Sequence, residues 1–138
     1  MAFLLDTNVV SELRKSKPDR HVLAWYERNV HADAYISALV VGEIGRGIDR
    51  VRSRDERQAE VLQFWLVQVL GTYRDRILAV TADVAREWGR LNSARKPPPV
   101  VDGLMAATAI VHRLTLVTRN VADVVATGVD VVNPFEPA

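Results

Sequence analysis

Asp6, Glu43 and Asp102 are the residues of this chain best suited to chemistry, and Asn120 and Asp123 extend the set near its end. Asp6 closes the apolar run Phe3-Leu4-Leu5 and precedes Thr7-Asn8. Glu43 lies among glycine and aliphatic residues in Val40-Val41-Gly42-Glu43-Ile44-Gly45, and Asp102 opens the small-residue stretch Gly103-Leu104-Met105-Ala106-Ala107. Thr118-Arg119-Asn120 follows another apolar run, Leu114-Thr115-Leu116-Val117. Carboxylates gathered in one pocket repel one another and lose solvation, which is unfavourable unless a cation compensates. Oxygen donors of this kind suit magnesium or manganese, a hard ion that keeps part of its water and binds phosphate oxygens. The chemistry implied is metal-assisted hydrolysis of a phosphodiester.

Each motif also has a plainer reading. Asp6 and Asp102 suit helix N-caps, and Asn120 suits a turn or a cap. Asp123 is either a further acid or a solvated helix residue. Glu43 can pair with Arg46 at i+3, worth about 0.3 kcal/mol on a surface. That pair leaves Gly42, Gly45 and Gly47 unexplained, at roughly 1 kcal/mol each relative to alanine in a helix. Close approach by a neighbouring element or a ligand is expected to offset them. Thr7 and Asn8 are placed to hold Asp6 in a ligating rotamer or to bind an ion's water. Arg119, beside the proposed site, is the candidate for touching a substrate phosphate. Arg46, Arg50 and Arg54 recur at i+4, a like-charge row that solvent or an anionic partner must accept. Trp25, Trp65 and Trp88 fall at apolar helix positions and read as core or interface residues.

The elements that must position these groups are short. Strands are expected at 2–5, 34–36, 77–80, 114–117 and 129–132. Helices are expected at 8–14, from Pro18 onward, from the Ser37 cap to Val51, at 54–70, from the Thr81 cap to Ala94, and at 102–112. Lys96-Pro97-Pro98-Pro99 is a stiff, non-helical connection. Short apolar strands alternating with helices predict an α/β fold with a central parallel sheet of four or five strands, covered on both faces. Such sheets carry their sites at the carboxyl ends of the strands, where Asp6 and Asn120 fall.

A chain of 138 residues with 49% hydrophobic and 25% charged content is expected to form one globular domain over 1–138. The net charge of +1 offers no global attraction for polyanions, so any nucleic-acid affinity must come from local arrangement of the 18 basic residues. Without cysteine, disulfides, thiolate zinc sites and cysteine nucleophiles are excluded. His21, His31 and His112 lack ligand spacing, which argues against a zinc hydrolase. No signal peptide or membrane-length apolar stretch is read, so the cytoplasm is the expected compartment.

Together, these residues resemble the PIN-domain ribonucleases, more narrowly the VapC/FitB-like toxins of type II toxin–antitoxin pairs. The resemblance rests on Leu4-Leu5-Asp6-Thr7-Asn8-Val9-Val10-Ser11-Glu12, Ile36-Ser37 with Gly42-Glu43, Asp102-Gly103 with Ala106-Ala107-Thr108-Ala109, Leu116-Val117-Thr118-Arg119-Asn120, and the ending Val132-Asn133-Pro134-Phe135. It spans essentially the whole chain in motif order. It implies a three-layer α/β/α sandwich, commonly dimeric, and magnesium- or manganese-dependent cleavage of RNA. Asp6, Glu43 and Asp102 would be the catalytic and metal-binding acids, with Thr7 and Thr118 in support. Asn120 stands where many relatives have a fourth acid. An amide can accept a metal bond but brings no charge, and Asp123 would partly compensate. A cognate antitoxin is implied as partner, binding beside the active-site groove and often presenting an arginine to the acids. A toxin–antitoxin hetero-oligomer is the larger assembly implied. The helices around Trp25 and Trp65 are expected parts of that groove.

Two other classes stay open. A strand-end aspartate can serve as nucleophile or phosphate acceptor in a phosphatase or receiver-like domain, although Asn8 stands where such phosphatases usually carry a second aspartate. A PIN-like module kept only for RNA or protein binding is the non-catalytic reading. RNA cleavage that is lost with a chelator would separate the three.

Overall fold

The computed structural model describes residues 1–29 and 33–137, so His31 lies outside the described residues. A wholly apolar strand becomes the middle of the sheet. Strand β1 (Phe3–Leu5) is buried at every position, which requires cover on both faces. It pairs in parallel with β2 (Ala34–Ser37), Leu4 opposite Tyr35, and on its other side with β4 (Thr115–Val117), Leu5 opposite Val117. The outer strands β3 (Ile77–Leu78) and β5 (Val131–Val132) complete the order β3-β2-β1-β4-β5. All pairings are parallel. The sheet, expected to have four or five strands, has five.

Right-handed crossovers place the connections that step from β1 towards β3 on one face, and those that step back towards β5 on the other. The first layer holds α1 (Thr7–Arg14), α2 (Arg20–Asn29), α3 (Ala38–Arg52) and α4 (Glu56–Thr72). The second holds α5 (Ala82–Asn92), α6 (Val100–His112) and the short α7 (Val121–Val124). Packing follows this division: α1 touches α2 and α3, α3 lies along α4, and α6 lies between α5 and α7. The result is the α/β/α sandwich. The direction in which strands are added reverses between β1 and β4, the switch point of the sheet, where such folds open a crevice at the strands' carboxyl ends.

Local chemistry sets the boundaries. Ser37 and Thr81 cap α3 and α5 as expected, accepting from the Leu39 and Val84 N–H groups. Asp19, rather than Pro18, begins α2: its carboxylate accepts from the N–H groups of His21 and Val22. Asp55 caps α4, so Arg54 falls in the turn before it, outside the proposed arginine row. The edge strands are shorter than expected. β2 ends at Ser37 opposite Leu78, which leaves nothing for Ala79 and Val80 to pair with, and Val80 is exposed.

The tryptophans are structural, as their positions suggested. Trp25 is buried edge-to-face on Phe3, with ring centroids 5.0 Å apart. Trp65 lies beneath the Arg14 guanidinium, and Trp88 packs between α5 and α6 beside Gly103. No described helix is long and apolar enough to cross a membrane.

Candidate active site

The backbone brings the strand ends together. The Asp6 N–H donates to the Val117 carbonyl at 2.9 Å, and the Thr118 N–H to that of Val132 at 3.0 Å. These bonds set the residues after β1 and β4 side by side at the switch point. Asp6 is 6% exposed and Thr118 1% exposed. Asp6 Oδ1 accepts from the Thr7 N–H at 2.7 Å, so the N-cap reading of this residue holds. Its other oxygen, Oδ2, accepts from Thr118 Oγ1 at 2.7 Å and from Asn8 Nδ2 at 3.3 Å. A cap and a site are compatible here, because a carboxylate has lone pairs to spare beyond these bonds.

Thr118 is the hub of this network. Its hydroxyl donates to Asp6 while accepting from Asn8 Nδ2 and from the Asn120 N–H at 2.9 Å. Asn8 in turn accepts from the Arg119 N–H through Oδ1 at 3.2 Å. On the opposite flank, Thr7 Oγ1 donates to Glu43 Oε1 at 2.5 Å, joining the start of α1 to the middle of α3. Thr7 and Thr118 thus steady one acid each. Glu43 also approaches Arg46 at 3.9 Å, a long contact to a mostly exposed side chain that contributes little.

Asp102 reports on the remaining geometry. It lies inside the first turn of α6, which starts at Val100 after Pro99, so its carboxylate does not cap the helix. Burial holds its pKa above the ordinary aspartate value, and the charges of Asp6, Asp123 and Glu43 push the same way. The Asn120 side chain opposes this shift by hydrogen bonding to the ionised form. Asp102 therefore senses every acid of the proposed set and the amide as well. The groups come from the β1–α1 junction, α3, α6, and α7 with the turn before it.

Hard oxygen donors carrying uncompensated mutual repulsion fit a divalent cation. Among the described residues, no three acids or histidines stand close enough together to form a metal-ligand cluster. Both Asp6 oxygens and Glu43 Oε1 instead accept hydrogen bonds from protein donors. An ion there would share oxygens with those donors and relieve the repulsion that raises Asp102.

Three expectations need adjustment. The Arg119 side chain is not directed at the acids: its guanidinium lies 3.7 Å from the Phe135 ring centroid, and its charge acts on Glu12 and Asp19. What Arg119 brings to the centre is its backbone N–H. The glycines of α3 face no close neighbour, since an added Cβ at Gly42, Gly45 or Gly47 meets nothing within 4 Å. Trp25 is buried, whereas Trp65 alone of the two lines a cavity of about 220 Å³ beside Glu43, with Thr7, Ser11 and Arg14.

Sequence reasoning gave no role to Glu12. It is 8% exposed and bonds Lys15 Nζ at 2.9 Å and the Asp19 N–H at 2.8 Å. These contacts tie the end of α1 to the start of α2. An acid on the helix face that also buries Val9 was the available signal.

Comparison with known proteins agrees with this architecture. The "VapC ribonuclease Y4jK" of Sinorhizobium fredii is 36% identical over 140 residues, covering 98% of this chain and 99% of that protein. The crystal structure of FitAcB from Neisseria gonorrhoeae superposes with a TM-score of 0.88 at 34% identity, over 97% of this chain and 99% of that one. A toxin–antitoxin complex from Klebsiella pneumoniae superposes with a TM-score of 0.69 at 26% identity, over 98% and 99% of the two chains. With residues 3–122 matching the family model of the PIN domain, the switch-point acids stand in a known scaffold, and the chain belongs to the PIN domain family.

Proposed function

We propose that this protein is the toxin of a toxin–antitoxin pair, an endoribonuclease that hydrolyses RNA phosphodiester bonds with a divalent metal ion. The observation that supports this most directly is the geometry at the switch point, where Asp6 is buried against Thr118 and Thr7 holds Glu43. Carboxylates held in place at a strand-end crevice suit a site made to receive a cation. The ribonuclease named among its relatives and the toxin–antitoxin complex among its structural neighbours point the same way.

Asp6, Glu43 and Asp102 would hold magnesium or manganese, with Asp123 and the Asn120 amide at the edge of the set. Bound there, the ion would supply charge neutralisation at the scissile phosphate and a lowered pKa for the attacking water. The chain's own contribution is orientation. Thr118 and the Thr7 N–H fix the Asp6 carboxylate plane, and Thr7 Oγ1 fixes Glu43.

The antitoxin is assigned to the groove beside Glu43. The cavity there continues past Arg14 and Trp65 into an apolar one of about 310 Å³ between α1, α2 and α4, lined by Leu13, Leu23 and Tyr26. An apolar segment ending in a cation would fill the groove and neutralise the acids. Homodimerisation, a toxin–antitoxin hetero-oligomer and a cytoplasmic site of action complete the proposal.

The test is cleavage of a fluorescently labelled single-stranded RNA by the purified protein across a magnesium and manganese titration. Cleavage that needs the metal, stops with EDTA and is absent in Asp6→Asn is the expected result. RNA binding without cleavage at any metal concentration would overturn it in favour of the non-catalytic module.

A further inference from the structure

We propose that the cleft between the Lys96–Pro99 segment and α7 is a substrate subsite that holds one nucleotide of the RNA next to the scissile phosphate. This rests on the nuclease reading above. The cavity measures about 340 Å³ and is lined by Lys96, Pro97, Pro98, Ala126 and Asp123 among others. Two features link it to Asp102: Asp123 lines the cleft, and Pro98 of its wall packs on Gly103, the next residue in α6. The cleft therefore neighbours the start of α6, where Asp102 lies.

Its size selects the occupant. Small-molecule sites span roughly 300–1,000 Å³, and this cavity falls at the lower end. One base with its sugar fits such a space, whereas a helix or a folded partner does not. Its surface is suited to a flat ring. Proline rings and alanine methyls offer apolar faces, and bases held outside a duplex stack between apolar or aromatic side chains. The hydroxyls that line it are already engaged: Ser93 Oγ donates to the Arg90 carbonyl at 2.8 Å, and Thr127 Oγ1 to that of Val124 at 2.6 Å. The subsite therefore grips a base by its face and reads little of its edge.

Charge is divided across the cleft. Asp123 brings a negative charge to its lining. On the rim, Arg90 is paired with Glu87, but exposed Lys96 forms no ion pair among the described residues. Lys96 is thus the cation free to meet the neighbouring phosphate. The wall that carries it is rigid and keyed to the catalytic helix. Consecutive prolines restrict the chain, and the absence of a Cβ at Gly103 lets Pro98 and Trp88 close on α6, one residue after Asp102. An added Cβ there would lie 3.2 Å from Pro98 Cγ and 3.3 Å from Trp88 Cδ1. Subsite and acid centre are set in register by that contact.

The test uses the purified full chain with magnesium and RNA oligonucleotides in which one abasic ribonucleotide is moved stepwise away from the cut. The wild type is expected to lose roughly tenfold in kcat/KM, about 1.4 kcal/mol, when the abasic residue reaches the subsite. Ala126→Trp fills the cleft from an exposed position. It should cleave intact RNA about tenfold more slowly and show no further loss with the abasic substrate. Lys96→Ala should raise KM, leave kcat unchanged and reduce the salt dependence of binding by about one phosphate contact. An abasic penalty of equal size in the wild type and Ala126→Trp would overturn the subsite alone. Complete absence of metal-dependent cleavage by the wild type would overturn the nuclease reading and the subsite with it. Circular dichroism of both variants confirms that they are folded.

Discussion

The Thr118 hydroxyl donates to Asp6 at 2.7 Å across 112 residues of sequence, and both groups are almost completely buried. This bond links the ends of the two strands that flank the switch point. A charged acceptor makes such a bond worth about 1.5–3 kcal/mol. Thr118→Val keeps the shape and removes the donor, leaving the buried carboxylate and the Asn120 N–H short of a partner. Unfolding in urea should show a loss of about 2 kcal/mol, with the m-value unchanged. Thr118→Ser should restore most of it. A valine variant as stable as the wild type would show that the bond does not hold the site.

Asp102 is expected to weaken the metal-free protein. Its pKa is raised in the folded state, chiefly by burial and then by Asp6. The folded protein therefore binds this proton more tightly than the unfolded chain. The associated stability is present below the unfolded pKa and is lost as pH rises through the folded value. Asp102→Asn removes the charge and with it that loss. In EDTA at neutral pH this variant should melt at a higher temperature than the wild type. Its RNA cleavage should nevertheless fall by roughly a hundredfold or more, because a metal's charge stabilisation is worth several kcal/mol. Equal melting temperatures would remove the electrostatic account of the cluster.

How much of this was visible in the chain itself differs by level. Apolar runs ending in Asp6 and Thr118 expose the strands, because a strand buried on both faces has little choice of residue type. Their convergence is not visible, since it depends on the order β3-β2-β1-β4-β5, which brings β4 beside β1. Helix starts were legible where a hydroxyl caps, as at Ser37 and Thr81. At Asp102 an acid before a small-residue run imitates a cap, while the helix begins earlier, at Val100. The Arg119 side chain misled for a related reason. Position beside a site does not fix which way a long side chain turns, and the Phe135 ring takes it.

Glu12 should make the fold sensitive to acid. The Lys15 hydrogen bond, then the Asp19 N–H, hold its pKa below the ordinary glutamate value. The stability it adds is present above the unfolded pKa of about 4.3 and is lost as pH falls through the folded value. Lys15 is half exposed, so its share is screened and the Asp19 N–H carries more of the effect. Glu12→Ala leaves that N–H without its acceptor and should cost about 1–3 kcal/mol at pH 7. Denaturation midpoints for the wild type and Glu12→Gln should converge as pH drops below the carboxylate range. A gap that stays constant with pH would show that the charge of Glu12 is irrelevant.

Glycine positions offer a test with opposite signs. At Gly45 an added Cβ meets nothing within 4 Å, so Gly45→Ala should gain the helix propensity of alanine, about 1 kcal/mol. Gly103 also lies in a helix, but its Cβ would press on Pro98 and Trp88 at 3.2 and 3.3 Å. Overpacking typically costs about 1–3 kcal/mol, which outweighs the same propensity gain. Gly103→Ala should therefore lower the urea midpoint while Gly45→Ala raises it. Displacing Pro98 should also disturb the wall beside Asp102, so RNA cleavage should fall in Gly103→Ala and stay at the wild-type level in Gly45→Ala. If Gly103→Ala proved as stabilising as Gly45→Ala, the Trp88–Pro98 contact would be too loose to hold the 96–99 segment against α6.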